Sequence, residues 1–294
     1  MKHLLLSLSL VAGLHAAEFD PARVSPDAKW WLHADLEAAR ATELGKRVVA
    51  EVDEKKGDQL RALKRMFSVN PMTDLKGITL YGDGQKDHAV ALIEGNFDRA
   101  HLEDIAKAAD KHESEEREGL VIHSWTDKGK RQHAVFVRDD LLVFSHFEDL
   151  LDSAITTLKS GNGLTADPFV GAGAAAPFLV GYANLQEVEM GKDESKLLGH
   201  AETLRIAMTE AAGRMEGRMQ LEVVDKADGD RFRMVMDGMV ALGELGNPDL
   251  RAADISFDSR SEEGGKTVRC TLSFPTSDLI SLMEKAKAFD KIGK

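Results

Sequence analysis

Three histidines are the side chains in this sequence most able to hold a metal ion. His123, His133 and His146 fall in or beside residues 120–145, where alternating apolar side chains predict three consecutive antiparallel strands. Neutral imidazole nitrogens bind zinc and copper, so three rings on one sheet face would form a metal centre. A metal-dependent enzyme or metal-binding protein that uses this histidine row is therefore one function that the sequence allows.

Whether the three imidazoles meet depends on the two turns between the strands. A two-residue second turn, at 139–140, pairs His133 with His146. A three-residue first turn places His123 opposite His133, so that all three rings lie on one face. A two-residue first turn instead places His123 opposite Ala134, on the other face. The sequence leaves both turns open.

Two other motifs favour structural roles. The stretch Gly171–Ala176 has the spacing of a dinucleotide fingerprint, but Pro177 and a predicted strand follow it where such a site needs a helix. Asp225–Asp230 is rich in Asp and Gly but lacks the ligand register of an EF-hand, so we interpret it as a hairpin turn. The sequence has neither a Gly-x-Ser-x-Gly elbow nor a His-Glu-x-x-His helix. We therefore expect no catalytic residue and no cofactor.

Charge and cysteine content narrow the class of partner. The chain has 294 residues and a formal net charge of -12, which disfavours binding to nucleic acid and to anionic membrane surfaces. Cys270 is the only cysteine, so no intrachain disulfide can form. It shares one side of a predicted strand with Val268 and Leu272, while Arg269 and Thr271 fall on the other side. This pattern places the thiol on the buried face.

The first seventeen residues have the layout of a secretory signal peptide. Lys2 is followed by an apolar run over residues 4–14, and Ala16 and Ala17 precede the acidic Glu18. The run is too short to span a bilayer, and no second apolar segment of membrane length follows. These features predict cleavage after Ala16 or Ala17 and a periplasmic or extracellular protein without a membrane span.

The remaining chain divides into two stretches of similar pattern. Residues 18–160 and 178–294 each read as a strand, a helix, a hairpin, a helix, further strands and a final helix, separated by a Gly/Ala/Pro-rich linker at 161–177. In the second stretch, composition predicts a helix over 197–212 and a hairpin turning at 228–229. Period-two alternation in several strands predicts an α+β fold, with two similar units of antiparallel sheet and helices packed on one face.

Two short segments carry a resemblance. The stretches Asp27–Leu36 (DAKWWLHADL) and Thr42–Lys46 (TELGK) look like the opening strand and helix of uncharacterised secreted proteins of environmental bacteria. As a pattern, the similarity covers most of the chain after residue 17. It implies a repeated strand-helix-hairpin unit, and it brings no reaction, cofactor or site residue.

These observations favour an exported, non-enzymatic binding or structural protein. Its partner is expected to be another protein or an apolar ligand, held on a sheet face or in a cleft. The paired Trp30 and Trp31 and the methionine-rich second half are the places where such a partner is expected to bind. A carrier of an apolar ligand is a further alternative, and it requires a continuous apolar cavity.

Overall fold

The protein is built around one continuous sheet of twelve antiparallel strands. The computed structural model describes residues 17–173, 175–191 and 198–292, so the predicted signal peptide up to residue 16 lies outside the described residues. The sheet order is β11-β12-β10-β9-β8-β1-β2-β3-β7-β6-β5-β4. The strands are β1 (Trp30–Asp35), β2 (Leu75–Gly82), β3 (Ala89–Gly95), β4 (Glu113–Arg117), β5 (Leu120–Asp127), β6 (Lys130–Arg138), β7 (Leu141–Ser145), β8 (Leu179–Asn184), β9 (Ala201–Ala211), β10 (Arg214–Val223), β11 (Ser256–Glu262) and β12 (Thr267–Pro275).

Seven α-helices in the described residues accompany the sheet. They are α1 (Leu36–Ala41), α2 (Glu43–Phe67), α3 (Arg99–Lys107), α4 (Glu148–Ser160), α5 (Lys226–Gly246), α6 (Pro248–Ala252) and α7 (Thr276–Ile292). Side-chain caps start several of them: the backbone N–H of Ala38 donates to Asp35, and that of Gly45 donates to Thr42. None of the described helices is long and apolar enough to cross a membrane. The α+β prediction is confirmed.

The strand order is symmetric about the centre of the sheet. There β1 pairs with β8. Outward from β1 the first half continues with β2, β3, β7 and β6, and outward from β8 the second half continues with β9, β10, β12 and β11 in the matching order. The first half ends in an additional hairpin of β5 and β4. The linker at 161–177 joins the two halves. That the halves arose by duplication stays a prediction.

Two predicted elements of the second half are wrong. Residues 201–211 form strand β9, not a helix, because pairing with both β8 and β10 outweighs the helix propensity of the segment. The segment predicted as a hairpin at 228–229 is the start of α5, whose first turn is capped by Asp225. Phe232 and Met236, four residues apart, pack on the core, so the true period is helical.

Helices lie on both faces of the sheet. Val143 packs beneath α4 with Leu151, whereas its neighbour Leu142 points to the opposite face, towards α3. Strand pairing places Leu221, which packs with α5, on the same face as Leu142. We name the two sides the α4 face and the α3 face.

Cys270 lies on the α3 face, and its predicted burial is confirmed. It is buried in the same cluster as Val268 and Leu221. Burial, together with the nearby Asp237 and Asp258, raises the pKa of the thiol to about 11.

This environment predicts slow chemistry at Cys270. In the native protein a thiol reagent is expected to react slowly, and unfolding in urea is expected to make the reaction fast. Cys270→Ser places a hydroxyl among apolar side chains and is expected to cost about 1–3 kcal/mol of stability. Rapid labelling of the folded protein would show that this strand register is wrong.

Candidate functional site

The first turn of the meander separates two of the three histidines. Lys128 and Gly129 both have positive φ, 49° and 80°, and form a two-residue turn in which Asp127 pairs with Lys130. His123 therefore lies opposite Ala134 and on the α3 face. Of the two turns that the sequence allows, the protein adopts the one that splits the row.

The second turn has the predicted pairing, but a bulge beyond it shifts the register. Across the turn, Arg138 pairs with Leu141. Between Arg138 and Phe136, β6 contains one extra residue relative to β7. His133 consequently lies opposite Ser145, not His146. His146 follows the end of β7, is exposed, and donates from Nδ1 to the carbonyl of Arg131 at 3.3 Å.

The histidine row expected for a metal centre is therefore not formed. His133 lies on the α4 face with Nδ1 2.8 Å from the Ser124 hydroxyl, while His123 lies on the opposite face. Within the described residues, no three His, Cys, Asp or Glu side chains are grouped so that they could hold a metal ion.

His123 lines an apolar cavity between α3 and the sheet, which we name the α3 cavity. Its volume is about 240 Å³. The lining consists of one side of α3 and its C-terminal continuation, the end of α2, and strands β5 to β7. It comprises Phe67, Leu102, Glu103, Ile105, Ala106, Ala109, His123, Trp125, Ala134, Val135, Phe136 and Leu142.

Small side chains create this space. Ala106 and Ala109 lie on the helix side and Ala134 on the sheet side, where larger residues would fill the gap. The cavity is bounded by aromatic rings as well: Phe136 packs against Phe97 with ring centroids 5.6 Å apart, and Trp125 packs near Phe144 at 6.3 Å.

His123 supplies a buried polar group to the cavity. Its Nδ1 lies 3.0 Å from Nε2 of His112, and its own Nε2 is buried without a hydrogen-bond partner in the described residues. Burial lowers the pKa of His123, so the ring is neutral at pH 7. A neutral imidazole has one donor and one acceptor, and a single polar group of a ligand could pair with Nε2.

The buried histidines make stability depend on pH. Burial lowers the pKa of His33, His123 and His133 below the ordinary value of 6.5. Each is neutral in the folded protein and takes up a proton on unfolding, so its contribution is complete above pH 6.5 and is lost as the pH falls through the folded pKa.

We accordingly expect the free energy of unfolding to fall as the pH drops below 6.5, by up to about 1.4 kcal/mol per pH unit for each histidine. Urea denaturation at several pH values measures the slope. His33 accepts a hydrogen bond from Thr79 and donates one to the Ala17 carbonyl. His33→Gln removes this titrating group and is expected to make the slope shallower; an unchanged slope would contradict the assignment.

The methionine-rich region contains both core and surface. Met215 and Met236 pack inside, whereas Met234 and Met239 are exposed on α5. With Val235, Leu242 and Leu245 they form one exposed apolar side of that helix. Sequence periodicity indicates only part of this surface, because it predicts a strand over 231–236 and a short helix over 239–245 in place of one long helix.

The comparisons with known proteins bear on the fold alone. No family model matches the chain, and no curated protein matches it. Crystal form III of TP0453 is similar in structure, with a TM-score of 0.52 and 11% identity over 92% of this chain and 99% of that chain. Crystal form I of the same protein has a TM-score of 0.48 at 11% identity. At this identity, the similarity to crystal form III supports the α+β architecture only.

Proposed function

We propose that this protein is an exported, non-enzymatic binding protein whose ligand is a small apolar molecule with one hydrogen-bonding group. The observation that carries the proposal is the α3 cavity, an apolar space beside a buried imidazole nitrogen that has no hydrogen-bond partner in the described part of the chain. Export rests on the sequence of residues 1–17.

The volume of the cavity limits the size of the ligand. An apolar cavity of about 150 Å³ holds benzene, so the α3 cavity, at about 240 Å³, suits a substituted single ring or a short chain. The apolar lining favours such a ligand because transfer out of water is the main driving force.

His123 gives the site its chemical preference. An unpaired buried nitrogen costs free energy, and a ligand hydroxyl that pairs with Nε2 removes that cost. Since the ring is neutral, it selects an uncharged hydroxyl rather than an anion.

A pair of matched probes tests the proposal. 4-Propylphenol and propylbenzene differ by one hydroxyl, and we expect the phenol to bind more tightly by about tenfold, the effect of one hydrogen bond to a buried group. His123→Phe is expected to remove this preference while leaving propylbenzene binding intact. His146→Phe, on an exposed ring, is the control and should leave both affinities unchanged. Equal binding of the two probes to the wild type would contradict the role of His123.

A protein partner is the second candidate, and the exposed apolar side of α5 favours it. Contiguous exposed apolar surface often marks an interaction site. A photo-crosslinker at Leu242, which is 69% exposed, should capture one discrete partner in the native cell envelope, and one at the exposed Lys55 on α2 should not. The same products from both positions would contradict this second proposal.

A further inference from the structure

The second half of the α4 face is polar where the first half is apolar. In the first half this face carries Val90, Val135 and Val143 beneath α4. In the second half, strand pairing continues the face through Arg205 on β9, Gln220 on β10, Arg269 on β12 and Arg260 on β11, each directly opposite the next. Arg260 and Arg269 thus oppose each other, an arrangement of like charges that destabilises a sheet.

A cavity of about 460 Å³ lies over this row, and we name it the arginine cavity. The residues that matter here are Arg205, Arg218, Arg260, Arg269, Thr271 and Phe169. Phe169 belongs to the linker between the two halves, which lies along one side of the cavity together with Asp167 and Pro168.

Three of the four arginines are held by carboxylates at 3.0 Å or less. Arg205 binds Asp167 at 2.9 Å and Glu222 at 3.0 Å. Arg260 and Arg269 share Glu262, at 3.0 and 2.9 Å. These three side chains are held in place, and the charge of Glu262 is divided between two guanidinium groups.

Arg218 is paired less closely than the other three. Its side chain is only 11% exposed, and its nearest carboxylate is that of Glu216, 3.6 Å from Nε and too far for a hydrogen bond. Nη1 donates a long hydrogen bond of 3.5 Å to the Phe169 carbonyl, and the guanidinium lies over the Phe169 ring at 5.4 Å. Nε and Nη2 are buried and donate to no described residue. A buried guanidinium left in this state is costly, and an anion would relieve the cost.

We propose that the arginine cavity binds an organic anion, with its carboxylate or phosphate group on Arg218 and Arg269 and its apolar part against Phe169 and Pro168. A planar guanidinium pairs with the oxygens of either anionic group through two parallel hydrogen bonds. The surrounding protein is acidic overall, so the arginine row sets this cavity apart from the rest of the surface. The site is separate from the α3 cavity, on the other face of the sheet.

The test uses inorganic phosphate, phenyl phosphate and phenylacetate as probes, in calorimetric titrations of the full chain. We expect the two organic anions to bind more tightly than phosphate, and all binding to weaken as sodium chloride increases. Phenyl phosphate and phenylacetate separate a phosphate preference from a carboxylate preference. Failure of the wild type to bind any of the three at millimolar concentration would overturn the proposal.

Arg218→Met separates ligand binding from a structural role. If Arg218 serves an anion, the variant should bind the probes at least about tenfold more weakly. Without ligand it should melt at a higher temperature than the wild type, because a buried and poorly paired charge is gone. A lower melting temperature with unchanged probe affinity would show that Arg218 merely holds the linker. Arg269→Gln, at a half-exposed position, should also weaken binding, and Arg251→Met, an exposed arginine on α6, should not.

Discussion

Leu151→Ala is expected to lower the free energy of unfolding by about 3–4 kcal/mol. Leu151 is fully buried on α4, where it packs with Val90, Val143 and Ile155 between the helix and the sheet. The substitution removes three carbons from a closely packed site, so the lost transfer free energy and the cavity left behind add together. Urea denaturation followed by circular dichroism measures the change.

Leu242→Ala is the matched control for this substitution. It makes the same chemical change on α5, where the side chain is exposed, and we expect less than about 0.5 kcal/mol. A similar loss in both variants would contradict the packing of α4 on the first half of the sheet.

Trp31→Ala is expected to cost about 3–5 kcal/mol. Trp31 is buried at the centre of the sheet, stacks on Phe19 with ring centroids 4.1 Å apart, and lies 6.3 Å from the ring of Tyr182. Its strand, β1, pairs with β2 of its own half and with β8 of the other, so the ring stabilises the junction between the halves.

Trp30→Ala removes the neighbouring ring from the opposite, α3 face, where it is only partly buried. We expect it to cost less than half as much, because less apolar area is lost from the core. The same denaturation experiment compares the two variants. A larger effect at Trp30 would show that the main core beside β1 lies on the α3 face, contrary to the structure.

The sequence predicted the elements whose local signals agree with their tertiary environment. Cys270, Val268 and Leu272 occupy every second position of a predicted strand with one apolar face, and the structure has that strand. Asp35 and Thr42 accept hydrogen bonds from backbone N–H groups in the first turns of α1 and α2, so these helix starts depend on adjacent residues only. In each case a few adjacent residues hold all the information needed.

Prediction failed where distant contacts decide the outcome. The helix formers of 201–211 become a strand because neighbours from two other strands pair with them. Residues 231–236 alternate between polar and apolar and so predict a strand, but they lie in a helix. The exposed side of that helix is itself apolar, so Met234 has the pattern of a core residue although it is exposed. Periodicity alone cannot separate such a helix from a strand.

Only part of the candidate site is predictable from the sequence. The sequence identifies His123 as a candidate ligand, but the extra residue in β6 that shifts the pairing of His133 has no sequence signature. The α3 cavity depends on the small size of Ala106, Ala109 and Ala134 at one helix–sheet contact. Each alanine is unremarkable alone, and only the fold brings them together.

The most direct test of the proposed function is a calorimetric titration of 4-propylphenol into the wild type, Ala106→Leu and Ala100→Leu. At about 0.6 kcal/mol for each of about ten non-hydrogen atoms, wild-type binding is expected to have a Kd on the order of 40 μM. Ala106→Leu fills the α3 cavity and should abolish binding while stabilising the fold by about 0.5–1 kcal/mol. Ala100→Leu makes the same change at an exposed position of α3 and should bind like the wild type. Equal binding by all three proteins, or none by the wild type, would contradict the account.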